Sequence, residues 1–132
     1  MMKTERKKHF TQMTNREKSL LKEKIKRVDI REWIVSRHAM ERIQERSFRF
    51  CPERIVSCLT NFRPIEYKVV NYYGKRQERV LIRGNDIYNG SNLVMLFNVT
   101  DKEFITCWMN THDDMHETID MEEYDGSLEV VG

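Results

Sequence analysis

His38, Arg42 and Arg46 could place a proton-transfer group beside two guanidinium groups. The run SRHAMERIQER, residues 36–46, predicts a short helix that begins at Ser36. Residues four apart are neighbours on a helix, so the three side chains share one stripe. The free amides and the dipole at a helix start disfavour a protonated ring at His38, and a neutral histidine can act as a general base. Two arginines can grip a phosphate through bidentate hydrogen bonds, so the pattern predicts chemistry on a phosphate-bearing substrate.

The same helix also has a purely structural interpretation. A histidine on the polar face of a helix is commonly solvated or bonded to a loop carbonyl. Glu41 and Glu45 alternate with the arginines and could pair with them along the helix. Such surface ion pairs are common and contribute little to stability. Both interpretations stay open at the level of sequence.

Two predicted strands carry further candidates. Arg79 and Arg83 share one face of the second strand, where they could bind substrate, extend the basic surface or only rim it. Thr106 and Trp108 share a face of the last strand, together with Phe104. Thr106 could offer its hydroxyl to a phosphate as part of the catalytic set, and Trp108 could stack on a base of the substrate. A tryptophan in a strand more often packs in the core or at a sheet edge.

Metal and disulfide chemistry are not expected. His112 and His116 have the spacing of two helical metal ligands, but the sequence fixes no third or fourth ligand. We therefore expect neither a metal nor another cofactor. Three scattered cysteines, Cys51, Cys58 and Cys107, fit neither a disulfide framework nor a zinc knuckle. They favour a reducing, cytoplasmic location.

Helical periodicity comes first in the chain and strand periodicity follows. The capping box at Thr14–Glu17 predicts a helix to about Val28, Ser36 predicts the start of the central helix, and Pro52 that of a third. The buried face expected for the central helix consists of Ala39, Met40 and Ile43. Strands are predicted near residues 65–69, 80–82, 93–97 and 104–109, with a turn at 73–75 and a loop over 84–92. Helices packed on a four-stranded antiparallel meander make an α+β domain.

The charges divide the 132 residues unevenly. Residues 1–54 hold 16 Lys/Arg against 8 Asp/Glu, residues 55–110 hold 7 against 5, and residues 111–132 hold none against 8. We predict a basic N-terminal helical extension at 1–32 with a frayed start at 1–13, a domain at 33–110, and an acidic tail at 111–132. A short helical turn is expected near 115–121, with disorder towards Gly126. Such asymmetry suggests a nucleic-acid-facing half, or an acidic tail that screens it.

Membrane and secretory classes are not supported by the sequence. A third of the residues are charged, and no apolar run approaches the length that spans a bilayer. The first residues are polar and rich in lysine, without the apolar segment of a secretory signal. A small cytoplasmic protein without membrane contact is expected.

The run SRHAMERIQERSF resembles a bacterial and phage domain family of unassigned function. That family opens with Ser/Thr-x-His-Ala-x-x-Arg-x-x-x-Arg, then a small and an aliphatic residue. It looks related to RelE-like toxins and to the barnase–EndoU–colicin–RelE ribonuclease fold. His38, Ala39, Arg42 and Arg46 match by position, whereas Ser47 and Phe48 replace the usual Gly and Ile/Val. The resemblance covers roughly residues 33–110.

The resemblance implies a RelE-like fold with RNA as the partner, and it raises an antitoxin-like protein as a second partner. It suggests a metal-independent endoribonuclease in which His38 deprotonates the ribose 2′-hydroxyl. Arg42 and Arg46, helped by Arg79 or Arg83, would stabilise the phosphorane. One alternative is a non-catalytic regulator of phage or mobile-element origin that binds RNA or DNA. Another is a protein-interaction module whose acidic tail mimics nucleic acid or covers its own basic face; the oligomeric state is left open.

Overall fold

A computed structural model describes residues 3–45, 52–88, 90–114 and 120–132 of the chain. Within these ranges it contains three α-helices, six β-strands and three short 3₁₀ turns. The strands are β1 (Lys3–His9), β2 (Ile34–Val35), β3 (Phe62–Tyr72), β4 (Lys75–Tyr88), β5 (Ser91–Asn98) and β6 (Glu103–Thr111). The helices are α1 (Asn15–Lys26), α2 (Arg37–Glu45) and α3 (Pro52–Thr60).

The described strands form one mixed sheet in the order β1-β3-β4-β5-β6-β2, antiparallel except where β2 runs parallel to β6. The predicted α+β class is confirmed. The predicted four-stranded sheet is wrong, because the meander β3–β6 gains a strand at each edge. Lys3–His9, predicted as frayed and as part of a helical extension, pairs with β3 over its whole length. Its charged side chains hid the strand from the hydrophobic pattern, and charged residues are typical of edge strands.

The described helices cover one face of the sheet, here called the helix face. Its core combines Leu21 and Ile25 of α1, Ala39 of α2 and Cys58 of α3 with alternate residues of the strands, among them Tyr67, Val80, Ile82, Met95, Phe97 and Cys107. Burying a large apolar side chain contributes roughly 1.5–3 kcal/mol, so this face supplies most of the stabilisation. The opposite face, here called the polar face, carries the intervening residues of the same strands.

The predicted starts of all three helices are confirmed, and α3 begins at Pro52 as expected. The Thr14 hydroxyl accepts a hydrogen bond from the Glu17 amide at 3.1 Å, and the Glu17 carboxylate accepts one from the Thr14 amide at 3.0 Å. Ser36 Oγ accepts from the Ala39 amide at 3.0 Å and donates to the Ile105 carbonyl at 2.6 Å. Ser36 therefore both caps α2 and attaches its first turn to β6.

The buried stripe of α2 is narrower than predicted. Ala39 is fully buried and Ile43 packs partly against the core, but Met40 is 45% exposed. The helix lies against β6 near the edge of the sheet, so only side chains four apart reach the core. The prediction that Met40 is buried is wrong.

The predicted loop over residues 84–92 is also wrong, because β4 continues to Tyr88 and β5 begins at Ser91. The pairing of β4 with β5 is irregular between Arg83 and Ile87. There the buried Asn92 side chain donates to the carbonyls of Gly84 at 3.1 Å and Asp86 at 3.0 Å. The Asn92 side chain thus bonds backbone carbonyls in the irregular stretch. Most of the polar residues that predicted a loop instead belong to the ends of β4 and β5.

The end of the acidic tail is ordered against the domain. Leu128 and Val130 are each 5% exposed within the core, and the Val130 amide donates to the Glu17 carboxylate at 3.0 Å. The predicted disorder towards Gly126 is therefore wrong for this segment. Of the short turn predicted near 115–121, residues 115–119 lie outside the described ranges, and Met121–Glu123 form a single 3₁₀ turn. No helix in the described stretches is both long and apolar enough to cross a bilayer.

Candidate nucleic-acid interface

The sheet separates the two groups of predicted site residues. Cys107 of β6 is buried on the helix face with Ala39 of α2. Its neighbours Thr106 and Trp108 alternate with it, so they lie on the polar face. His38 and Arg42 belong to α2, which packs on the other side. The predicted constellation of His38 and Arg42 with Thr106 is therefore not assembled in the structure.

A bulge in β6 explains why one residue changed sides. Leu96 pairs with Thr106 and Phe97 pairs with Phe104, which leaves Ile105 as an extra residue. Phe104 consequently points into the core, where it is 4% exposed and its ring centroid lies 5.1 Å from that of Phe97. The prediction that Phe104 shares a face with Thr106 is wrong.

On α2, His38 is exposed in the first turn and Arg42 follows one turn later, half-buried. Arg42 Nη1 donates to Glu45 Oε2 at 3.3 Å, and Arg37 pairs with Glu41 at 3.5 Å. The alternative of ion pairs along the helix is thus present in the structure. These pairs are solvent-exposed, so they bind Arg42 only weakly. Arg46, predicted as the second phosphate contact, lies outside the described residues, as does Cys51.

Arg83 is not on an open surface, contrary to its predicted role in substrate binding. It is fully buried, and its Nη2 donates to Asn92 Oδ1 at 2.9 Å and to the Thr111 carbonyl at 2.8 Å. Its Nη1 donates to the carbonyl of Asp114. Burial lowers the pKa of Arg83, and the nearby charge of Arg63 acts in the same direction. Arg83 therefore holds the start of the acidic tail onto the sheet.

The predicted metal ligands are divided between described and undescribed residues. His112 Nδ1 lies 3.2 Å from Asn92 Oδ1, whereas His116 is outside the described ranges. Among the residues that the structure describes, no three His, Cys, Asp or Glu side chains are grouped to hold a metal ion. Of the cysteines, Cys58 and Cys107 are both buried and are not joined in a disulfide.

Arg79 belongs to a line of cations across the polar face. Lys7 of β1 lies directly opposite Lys68 of β3, and Lys68 lies directly opposite Arg79 of β4. Neighbouring strands are about 4.8 Å apart, and like charges directly opposite each other are destabilising. This line, here called the basic row, therefore favours the approach of an anion.

The anions next to the basic row do not neutralise it evenly. Lys68 pairs with Glu5 at 3.8 Å and Lys7 pairs with Glu123 at 3.4 Å. Arg79 Nε instead donates to the neutral Gln77 Oε1 at 2.6 Å, and its guanidinium makes no ion pair with a carboxylate of the described chain. Arg79 is therefore the member of the row best placed to bind a phosphate.

Beside Arg79 lies a groove of about 690 Å³, here called the basic groove. On the polar face its lining includes three cations, Lys3, Lys75 and Arg79, against one carboxylate, Asp101. Lys3 also pairs with Glu5 at 3.1 Å. Hydrogen bonds from Asn98 and Gln77 lower the pKa of Asp101, so it is ionised at neutral pH and already bonded. Arg76 also lines the groove, but its guanidinium contacts Tyr67 and Glu78 on the helix face. The groove therefore has an excess of positive charge beside Arg79.

Sequence reasoning found Arg79 but missed Lys3, Lys68 and Lys75. The alternation of Lys3, Glu5 and Lys7 was the available signal for a strand, because these odd positions share a face. The pairing that aligns Lys7 with Lys68 joins residues 61 positions apart, and no local pattern predicts it.

The acidic tail touches one end of the basic row. Besides the ion pair of Glu123 with Lys7, the Lys7 ammonium lies 4.6 Å from the centre of the Tyr124 ring. The Tyr124 hydroxyl donates to Glu66 at 2.6 Å, and burial together with that carboxylate raises the pKa of Tyr124. Tail contacts therefore occupy Lys7 and leave Arg79 open.

Comparison with known protein families, curated proteins and solved structures finds no match for this chain. The six-stranded order in the described ranges also differs from the four-stranded meander that the RelE-like resemblance implies. The candidate functional residues of the described chain therefore lie on the polar face and on α2.

Proposed function

We propose that this chain binds RNA by its phosphate backbone, along the basic row and the basic groove of the polar face. The observation that carries the proposal is the direct cross-strand alignment of Lys7, Lys68 and Arg79 beside a groove that Lys3 and Lys75 also line. Like charges in register reduce the stability of a sheet, so such an arrangement is best explained by an anionic ligand. A polyanion with regularly spaced phosphates fits a line of cations across several strands.

Electrostatic binding of this kind has a measurable dependence on salt. Each phosphate neutralised by Lys or Arg releases condensed counterions, so affinity falls as salt is raised. For a single strand the slope of log affinity against log salt is about −0.7 for each phosphate neutralised. Removing one cation of the row should therefore lower affinity and reduce the magnitude of that slope by about 0.7.

Charge-removing variants test the proposal. We expect Arg79→Gln and Lys68→Gln to lower RNA affinity and flatten the salt slope in fluorescence anisotropy with a labelled RNA. Lys22→Gln is the matched control, because Lys22 is exposed on α1, on the other side of the sheet. Equal effects of Lys22→Gln and Arg79→Gln would mean that net charge alone attracts the RNA. Absence of salt-dependent RNA binding by the natural chain would disprove the proposed function, and tighter binding of DNA of the same sequence would reassign the ligand.

A second candidate function is metal-independent cleavage of RNA at α2. It is favoured by the exposure of His38 in the first helical turn, with Arg42 one turn on and the helix start held by Ser36. The resemblance of residues 36–46 to a domain family that looks related to RelE-like toxins supports the same candidate. In this reaction His38 takes the proton of a 2′-hydroxyl, whose oxygen bonds to the adjacent phosphorus. The bond from phosphorus to the 5′-oxygen breaks, the leaving oxygen takes a proton from water, and a 2′,3′-cyclic phosphate remains.

Cleavage in the presence of EDTA tests the second candidate. We expect the natural chain to produce cyclic-phosphate ends, and His38→Ala to reduce the rate about 10²–10⁴-fold, the usual contribution of a general base. His112→Ala is the matched control, because His112 follows β6 and its ring lies beside Asn92. RNA that stays intact with the natural chain, or cleavage that persists in His38→Ala, would remove His38 from any ribonuclease mechanism.

A further inference from the structure

Two exposed tyrosines lie at one end of the basic groove. Tyr72 is the last residue of β3 and lines the groove, and Tyr73 follows it in the turn to β4. The side chains are 52% and 65% exposed, and their ring centroids are 4.4 Å apart in an edge-to-face arrangement. Adjacent exposed aromatic rings beside Lys75 combine an apolar face with a positive charge.

The backbone at this turn does not favour tyrosine. Tyr72 pairs with Lys75, so the two central residues of the turn are Tyr73 and Gly74. Both have positive φ, +50° and +79°, as in a type I′ hairpin turn. The first position of that turn prefers Asn, Asp or Gly, and a bulky side chain there is strained. Neither turn preference nor burial therefore accounts for Tyr73.

We infer that Tyr72 and Tyr73 form a stacking platform for unpaired bases, so that the ligand of the basic groove is single-stranded RNA. The inference rests on the proposed function and specifies its substrate class. In a duplex the faces of the bases are covered by their neighbours, whereas a single strand can place a base on an aromatic ring. Arg79 and Lys75 would bind the phosphates of an RNA strand, and the tyrosines would stack on bases of the same strand. The backbone strain at Tyr73 is then retained because its exposed ring is needed to bind the ligand.

One substitution separates recognition from folding. Tyr73→Asn places a preferred residue in the turn, so we expect an unchanged or higher melting temperature. The same variant should bind a fluorescein-labelled 12-nucleotide single-stranded RNA more weakly, by about five- to 150-fold for one lost stacking contact. Tyr73→Phe is the matched control, because it keeps the aromatic face and should keep the affinity.

A 12-base-pair RNA duplex completes the experiment. Preference for the single strand, together with lost affinity in Tyr73→Asn and retained affinity in Tyr73→Phe, would support the platform. Equal or tighter binding of the duplex would overturn it, as would unchanged single-strand affinity in Tyr73→Asn. In either of those cases a salt-dependent loss in Arg79→Gln would still uphold the proposed function, whereas no RNA binding at all would overturn both.

Discussion

At the scale of single residues, Glu17 links three separate parts of the chain. Its carboxylate accepts hydrogen bonds from Lys8 Nζ of β1 at 3.0 Å and from the amides of Thr14 and Val130, also at 3.0 Å each. Glu17 and Lys8 are 8% and 5% exposed. A buried carboxylate with this many donors is stabilised in its charged form.

The ionisation of Glu17 makes stability depend on pH. Burial alone would raise the pKa, but the amides of Thr14 and Val130 and the ammonium of Lys8 lower it from 4.5 to about 2. The folded pKa thus lies below the unfolded one, so the folded state binds fewer protons. The stabilisation is fully present above the unfolded pKa of 4.5 and is lost as pH falls towards 2.

We predict that Glu17→Gln lowers the free energy of unfolding by about 3 kcal/mol at pH 7, because it leaves the buried Lys8 charge unpaired. Denaturant unfolding between pH 7 and pH 3 measures the change. The difference from the natural chain should shrink below pH 4.5, where the natural carboxylate loses its advantage. Glu23→Gln, on an exposed position of the same helix, should have little effect. A difference that is constant with pH would contradict the argument.

At the scale of elements, α3 and β4 meet where β4 lacks a side chain. A Cβ atom built on Gly84 would lie 2.6 Å from Cys58 Sγ and 3.6 Å from the Leu93 carbonyl oxygen. Cys58 is 2% exposed, and burial raises the pKa of its thiol to about 12, so it is a packed, uncharged group. The glycine therefore sets how closely α3 approaches the sheet.

We predict that Gly84→Ala lowers the free energy of unfolding by about 1–3 kcal/mol, the usual cost of overpacking. Cys58→Ala removes the sulfur that the new methyl group would strike, at its own cost in buried surface. The loss in the double variant should therefore be smaller than the sum of the two single-variant losses. We expect this difference, the coupling energy, to be at least about 0.5 kcal/mol. Denaturant titration of the four proteins measures the cycle, and strictly additive losses would show that Sγ does not limit the approach.

Local sequence signals predicted where helices begin better than they predicted which strands pair. The capping box at Thr14 and the cap at Ser36 were readable because each depends on residues three apart. β1 was missed because its charged side chains show no apolar period and its partner β3 lies more than 50 residues away. The bulge at Ile105 was equally hidden, since it depends on how β6 pairs with β5.

The candidate site was predictable to the same limited extent. Arg79 could be chosen from the sequence as a cation on a strand, but Arg83 on the same face is buried beneath the start of the acidic tail. Which of the two arginines faces solvent depends on how the tail packs, and a local pattern does not contain that information. The predictions for His38 and Arg42 concern one helix, and they await the cleavage experiment.

At the scale of the whole molecule, the end of the chain wraps around the β1 edge of the sheet. Tyr124 contacts Lys7 and Glu66 on the polar face. The Asp125 amide then donates to the Lys7 carbonyl at 2.7 Å, and its carboxylate pairs with Arg6 at 2.6 Å. Hydrogen bonds from Ser127 and Arg6 lower the pKa of Asp125 to about 2, so this ion pair persists at neutral pH. Val130 then reaches the core on the helix face of the sheet.

This path makes the acidic tail a competitor for the ligand that we propose. The tail has eight carboxylates and no Lys or Arg, and Glu123 already pairs with Lys7 at the end of the basic row. RNA that extended along the row to Lys7 would have to displace that carboxylate. Since the Glu123 side chain is 62% exposed, the pair is weak and can open without unfolding the tail.

We predict that the double variant Glu122→Gln/Glu123→Gln binds single-stranded RNA about two- to fivefold more tightly at low salt, the range of one exposed ion pair. The melting temperature should change little, because Leu128 and Val130 still hold the tail. The gain should shrink at high salt, where exposed charges are screened. Glu129→Gln is the control, since Glu129 is exposed beyond the β1 edge and makes no ion pair within the described chain. If Glu129→Gln gave more than half of the gain, net charge rather than competition at Lys7 would explain it, and an unchanged affinity in the double variant would show that the tail leaves the basic row accessible.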